Sequence, residues 1–133
     1  MEKKDLSAVL KIHNKQQEGY KFRNKYSQEE IMHYLLPRET CVDTYVIENQ
    51  VDGKTQVTDF FSLNLQGQTC NGSEKYKDMY VAYLYYYGLT VNTYKDMIRQ
   101  ALVTSSEQCN CDAFATYEMM GNYRDILENE LGF

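Results

Sequence analysis

The sequence predicts an α/β domain: a mixed, mostly antiparallel sheet flanked by helices, in the order ααβββαβα. Three observations predict it. Apolar residues recur at helical spacing near both ends of the chain and at a period of two through its middle. The chain holds 13 Tyr, no Trp and a single Pro, and suits a β-rich core with amphipathic walls. At 133 residues, with 43% hydrophobic and 25% charged content, it has material for one core and is not a disordered chain.

The elements follow in order. Leu6, Val9, Leu10 and His13 fall at i, i+3, i+4 and i+7, the apolar stripe of a helix over about residues 5–17. His13 on that stripe is expected to be a boundary histidine with its hydrogen bonds satisfied. Ser27 and Glu30 have capping-box spacing, and Ile31, Leu35 and the stop at Pro37 complete a short helix, with His33 on its solvated side. Residues 41–50 are rich in β-branched residues and Tyr and read as a strand. Asp52-Gly53 is a tight hairpin turn, residues 55–65 return as the second strand, and residues 66–73 are expected to be a loop.

Residues 78–87 place Met79, Val81, Tyr83, Tyr85 and Tyr87 on one face and Tyr80, Ala82, Leu84 and Tyr86 on the other. Both faces are apolar, so this strand is expected to be central and covered on both sides, antiparallel to the second arm of the hairpin. Asn92 is expected to cap a helix that buries Tyr94, Met97, Ile98, Ala101, Leu102 and Ser105. Residues 111–116 then form a short strand. A crossover helix leads into it, so it should lie parallel to the Tyr-rich strand. Gly121-Asn122 breaks the chain before a last helix over residues 123–131.

Charge and motifs bound the function. Nineteen acidic against fourteen basic residues give a net charge of −5, which argues against nucleic acid or an anionic membrane surface as partner. The charged opening Met1-Glu2-Lys3-Lys4-Asp5 leads into no apolar run, so neither a signal peptide nor a membrane span is expected, and the chain is placed in the cytoplasm. Cys41, Cys70, Cys109 and Cys111 are then reduced thiols. Cys109-Asn110-Cys111 lacks the gap of a zinc half-site, so no metal is expected. Glycine-rich phosphate loops, a Gly-x-Ser-x-Gly elbow and HExxH are absent from the sequence. The residues alone reach an α/β domain with an unusually aromatic sheet. Its Tyr side chains serve either as core or as the wall of a groove for an extended peptide.

A family resemblance adds to this. Met1-Glu2-Lys3-Lys4-Asp5-Leu6, Ser27-Gln28-Glu29-Glu30, Asp43-Thr44-Tyr45-Val46-Ile47-Glu48-Asn49 and Val57-Thr58-Asp59-Phe60-Phe61-Ser62 run in order along the chain. Ala82-Tyr83-Leu84-Tyr85-Tyr86, Ala101-Leu102-Val103 and Cys111-Asp112-Ala113-Phe114 follow them. Together they resemble the C-terminal half of glycylpeptide N-myristoyltransferase. The resemblance implies a single N-acetyltransferase-like (GNAT-like) domain that forms most of the groove for a peptide or protein with an N-terminal glycine. It implies that myristoyl-CoA and the backbone oxyanion hole belong to an N-terminal half, so this chain by itself is expected to hold no cofactor. It assigns the base to a terminal carboxylate that lies beyond the position matched by Phe133, so no catalytic residue carries over.

Residue by residue, Tyr83 matches a tyrosine of the family's peptide pocket, and Met79 stands for a leucine there. Ala115 stands for a pocket asparagine and Gly67 for a serine, so two polar groups of the pattern are lost. Tyr83 remains open to a core role. Three functions are consistent with this reading. The first is a peptide-binding or partner-binding domain, catalytically incomplete alone. The second is part of an active glycylpeptide N-tetradecanoyltransferase completed by other residues, and the third a small N-acetyltransferase, which the missing pyrophosphate loop disfavours. The edge strand at residues 111–116 carries neither Lys nor Pro, so it is expected to pair with a second copy or with a partner's strand.

Overall fold

The structure is a computed structural model that describes residues 1–72, 75, 77–117 and 123–133. After a 3-10 turn at Lys3–Asp5, the elements are α1 (Leu6–Gln17), α2 (Gln28–Leu35), β1 (Val42–Val51), β2 (Lys54–Thr69), β3 (Asp78–Gly88), α3 (Tyr94–Glu107) and β4 (Ala113–Ala115). A π-helical turn, Ile126–Glu130, follows near the C-terminus, closed by the Leu131 amide on the Ile126 carbonyl. The expected break at Gly121-Asn122 lies outside the described residues.

The four strands lie in the order β1-β2-β3-β4. The first three are antiparallel neighbours, and β4 runs parallel to β3. The hairpin turns at Asp52 and Gly53, both at positive φ (51° and 74°), as a type I′ turn requires. Strand β2 runs four residues beyond its expected end, to Thr69. The small and polar residues there do not break it, because Gln66, Gly67, Gln68 and Thr69 each pair with β3.

Helices α1 and α2 cover one face, where Leu6, Val9, Ile12, Ile31 and Leu35 pack on Phe60 and Tyr86. Helix α3 covers the other, where Tyr94, Met97, Ile98 and Ala101 meet Phe61, Leu63, Ala82, Leu84 and Tyr87. That assignment corrects the simple alternation along β3. Ser62 pairs with Tyr86 and Leu63 with Leu84, so Tyr85 is an extra residue, a β-bulge. The bulge switches the phase of the strand. Tyr87 therefore shares its face with Ala82 and Leu84, and Tyr86 points to the side of α1 and α2. Covering on both faces also holds only for the C-terminal part of β3, since Tyr80 is 53% exposed.

Two further expectations are corrected. Thr93, not Asn92, caps α3 by accepting the Asp96 amide. Asn92 is drawn away by Asp59, to which its side chain donates at 2.6 Å. His13 is not at a boundary: it is fully buried between the rings of Tyr26 and Tyr86, and neither ring nitrogen has a hydrogen-bond partner. Such an unpaired buried group costs about 1–3 kcal/mol. Ser27 and Glu30 do form the capping box in both directions.

Candidate functional site

The antiparallel register beyond α1 and α2 leaves a shelf at one end of the sheet. Met79 pairs with Gln68 on β2, and Tyr83 pairs with Ala115 on β4, which puts all four side chains on one face. Gln68 donates to the Tyr83 hydroxyl at 3.1 Å, and the Tyr117 ring stacks on Tyr83 with centroids 6.0 Å apart. Met79, Tyr83 and Ala115 are half-buried and Tyr117 is exposed. Tyr83 is thus packed on one side and wet on the other. The sequence reading did not single out Gln68 or Tyr117. The signal for Gln68 lay in the length of β2: once the strand reaches Thr69, residue 68 must fall on the face of Met79.

Gly67 goes to the opposite face. It pairs with Tyr80, and a Cβ there would sit 3.3 Å from the Tyr80 ring. Both residues line a groove of about 790 Å³ between the loops preceding β1 and β4, with Arg38, Glu39, Asp43, Leu65, Cys109 and Cys111 among its walls. The structure therefore brings Met79, Tyr83 and Ala115 together and sets Gly67 apart, on the other side of the sheet.

The groove contains no activated nucleophile. Tyr45 donates to Asp43 at 2.6 Å, and the Cys109 sulfur lies 3.8 Å from both partners. Burial first, and then the bond to Asp43, pushes the Tyr45 phenol far above its ordinary value. Burial likewise pushes the Cys109 and Cys111 thiols up, so both are protonated at neutral pH and weak nucleophiles. Among the described residues, no three His, Cys, Asp or Glu side chains converge to hold a metal ion.

The loop in front of α3 is organised around a carboxylate of the protein itself. A helix N-terminus with a preceding loop of backbone amides is a natural place for a phosphate. Here the amides of Thr90, Val91 and Asn92 all point at Asp59 Oδ1, the nearer two at 2.5 and 2.9 Å. Burial raises the Asp59 carboxyl, but the Val91 and Thr90 amides with Thr58 and Asn92 outweigh it and hold the group below its ordinary range. The protein's own carboxylate thus takes up the backbone amides of the loop before α3.

Comparison with known proteins agrees with this architecture. Residues 1–132 match the family model for the C-terminal domain of myristoyl-CoA:protein N-myristoyltransferase. A probable glycylpeptide N-tetradecanoyltransferase of Caenorhabditis elegans is 32% identical over 99% of this chain and 29% of its own length. The glycylpeptide N-tetradecanoyltransferase of Schizosaccharomyces pombe is 34% identical over 82% of this chain and 24% of its own length. The chain thus spans less than a third of the curated relatives it matches.

Among solved structures, Saccharomyces cerevisiae N-myristoyltransferase with bound myristoyl-CoA superposes at a TM-score of 0.79 with 23% identity, over all of this chain and 34% of that one. A predicted acetyltransferase with acetyl-CoA from Clostridium acetobutylicum superposes at 0.66 with 13% identity, over all of this chain and 86% of that one. These two likenesses establish the fold: a GNAT-like α/β domain. Sequence and fold together show that this chain belongs to the N-myristoyltransferase family, as a domain of the C-terminal type.

Proposed function

We propose that the domain supplies the peptide-facing surface of a glycylpeptide N-myristoyltransferase and is catalytically incomplete alone. The family match over residues 1–132 carries this reading. The shelf supports it, since Met79, Tyr83, Ala115 and Gln68 present one half-buried, amphipathic face on which an extended peptide can lie. The groove that holds Gly67 counts as a second contact region on the opposite side of the sheet.

In the second reading the domain is part of an active transferase. The peptide's glycine amine would then attack the thioester carbonyl of myristoyl-CoA, an amide bond would form and the CoA thiolate would leave. That reaction needs a base for the glycine ammonium and fixed donors for the oxyanion. The thioester would be held outside this domain, since Asp59 takes up the backbone amides of the loop before α3. The share of the relatives that the chain spans, 24–29%, favours this division of labour.

A cytoplasmic location belongs to the same proposal. Four free cysteines support it, and among the described residues no helix is long and apolar enough to cross a membrane. The test is calorimetric titration of the 133-residue chain with a peptide bearing a free N-terminal glycine, its N-acetylated form, and myristoyl-CoA. Binding of the peptide, weakened about tenfold or more by Tyr83→Ala, is the expected result. Myristoyl transfer by the pure chain would overturn the incompleteness, and equal binding by the Tyr83→Ala variant would overturn the shelf as the site.

A further inference from the structure

We propose that His13 is a proton-operated latch holding the connection between α1 and α2 onto the body of the domain. The connection, residues 18–27, is exposed along most of its length, and Phe22 is 98% exposed. What fixes its far end to the core is Tyr26. Its ring lies 5.1 Å from the His13 ring and 6.1 Å from Tyr86, and its hydroxyl is 3.0 Å from the Tyr86 hydroxyl. The imidazole of His13 forms the floor of this contact, fully buried, with Tyr86 edge-on at 5.3 Å.

Neither His13 nitrogen makes a well-formed hydrogen bond in the closed state, and the one polar side chain that favours its charged form, the Asn14 amide, is outweighed by burial. The groups facing it are the Tyr26 and Tyr86 rings and the adjacent Asn14 amide, all neutral. Tyr34 of α2 packs behind Tyr26 at 5.4 Å. The charged side chains of Glu18, Arg23 and Lys25 line a cleft that Asn14 also borders. Burial pushes the His13 imidazole below its ordinary value, which agrees with this geometry.

A cationic imidazole calls for water or a charge-matched partner, and the outward swing of Tyr26, whose ring lies against it, is the opening that would admit water. The native state therefore takes up its proton less readily than the opened state does. The closed latch is fully stable above the ordinary histidine value of 6.5 and loses that advantage as pH falls from there toward the depressed native value. The window opens at the ordinary histidine value, above the ordinary carboxylate range.

The experiment is amide hydrogen exchange at residues 18–27, corrected for intrinsic rates, at pH 7.5 and pH 5. It is paired with proton NMR of the histidine ring signals in the wild-type chain. Only His13 and His33 contribute signals, and free imidazole in the buffer is the reference. The expected result is opening of residues 18–27 that rises several-fold on acidification and is pH-independent in His13→Phe. Should that variant fail to fold, the wild-type ring signals decide alone. A His13 signal that titrates at the ordinary histidine value of 6.5 while residues 18–27 keep their protection overturns the latch, as does an equal acid response in His13→Phe.

Discussion

Asp59 shows how much a single side chain can organise. It is a fully buried carboxylate, tolerable only because Thr58, Asn92 and the amides of the 90–92 loop all donate to it. Asp59→Ala strands those donors and is expected to lower the unfolding free energy by about 2–4 kcal/mol, read by urea denaturation. Its folded carboxyl sits below the ordinary 3.8, so its contribution is complete above that pH and is lost as pH falls through the depressed value. Urea midpoints measured from pH 6 to pH 3 should fall for the wild type and fall less for Asp59→Asn. Gly88 is the second such position. A Cβ there would lie 2.5 Å from Ile12 Cγ2 and 2.8 Å from the Phe60 ring, so α1 could not keep its seat. Gly88→Ala is expected to cost about 1–3 kcal/mol.

At the scale of elements, the bulge in β3 decides more than any helix does. Tyr85 lets Leu84 and Tyr87 share one core while Tyr86 enters the other. Deleting Tyr85 would remove only the extra residue: Leu84 would stay opposite Leu63 and Tyr86 opposite Ser62, so every other side chain would keep its face. We expect cooperative unfolding, read by near-ultraviolet dichroism, to survive that deletion, whereas deleting Ala82, which has a partner in β2, should abolish it. The start of α3 divides its labour between neighbours. Thr93 caps the helix, while Asn92 serves Asp59. Thr93→Ala is expected to cost about 1 kcal/mol through the helix alone. Asn92→Ala should act instead through Asp59, so its effect and that of Asp59→Ala should not add in a double-mutant cycle.

The whole molecule is a sheet with unequal edges. Strand β4 pairs with β3 over only three residues, and it closes the sheet on that side. The half-buried Ala113, Phe114 and Ala115 carry no Lys or Pro that would discourage another strand. Concentration-dependent association in sedimentation velocity is the expected behaviour. A strict monomer whose 113–115 amides exchange freely would argue that the edge stays bare.

By itself the sequence determined the element order, the hairpin at Asp52-Gly53, the Ser27 cap, the parallel placement of β4 and the apolar face of α3. Each of these depends on residues close together in the chain: a spacing of three or four, a turn dipeptide, a cap and its third neighbour. The family motifs were legible for the same reason, as short ordered strings. Only the tertiary structure decided the rest. Tyr85 looks like one more member of an alternating run until β2 fixes which partners it can have. Gly67 and Gln68 are adjacent in sequence, and the pairing of β2 with β3 sends one to the groove and the other to the shelf. Asn92 has good capping chemistry, but a buried carboxylate 33 residues earlier takes its side chain. His13 fits a helical stripe equally well at a boundary or in a core, and the arrival of Tyr26 and Tyr86 settles which. Register and burial are properties of two segments meeting, and no single segment encodes them.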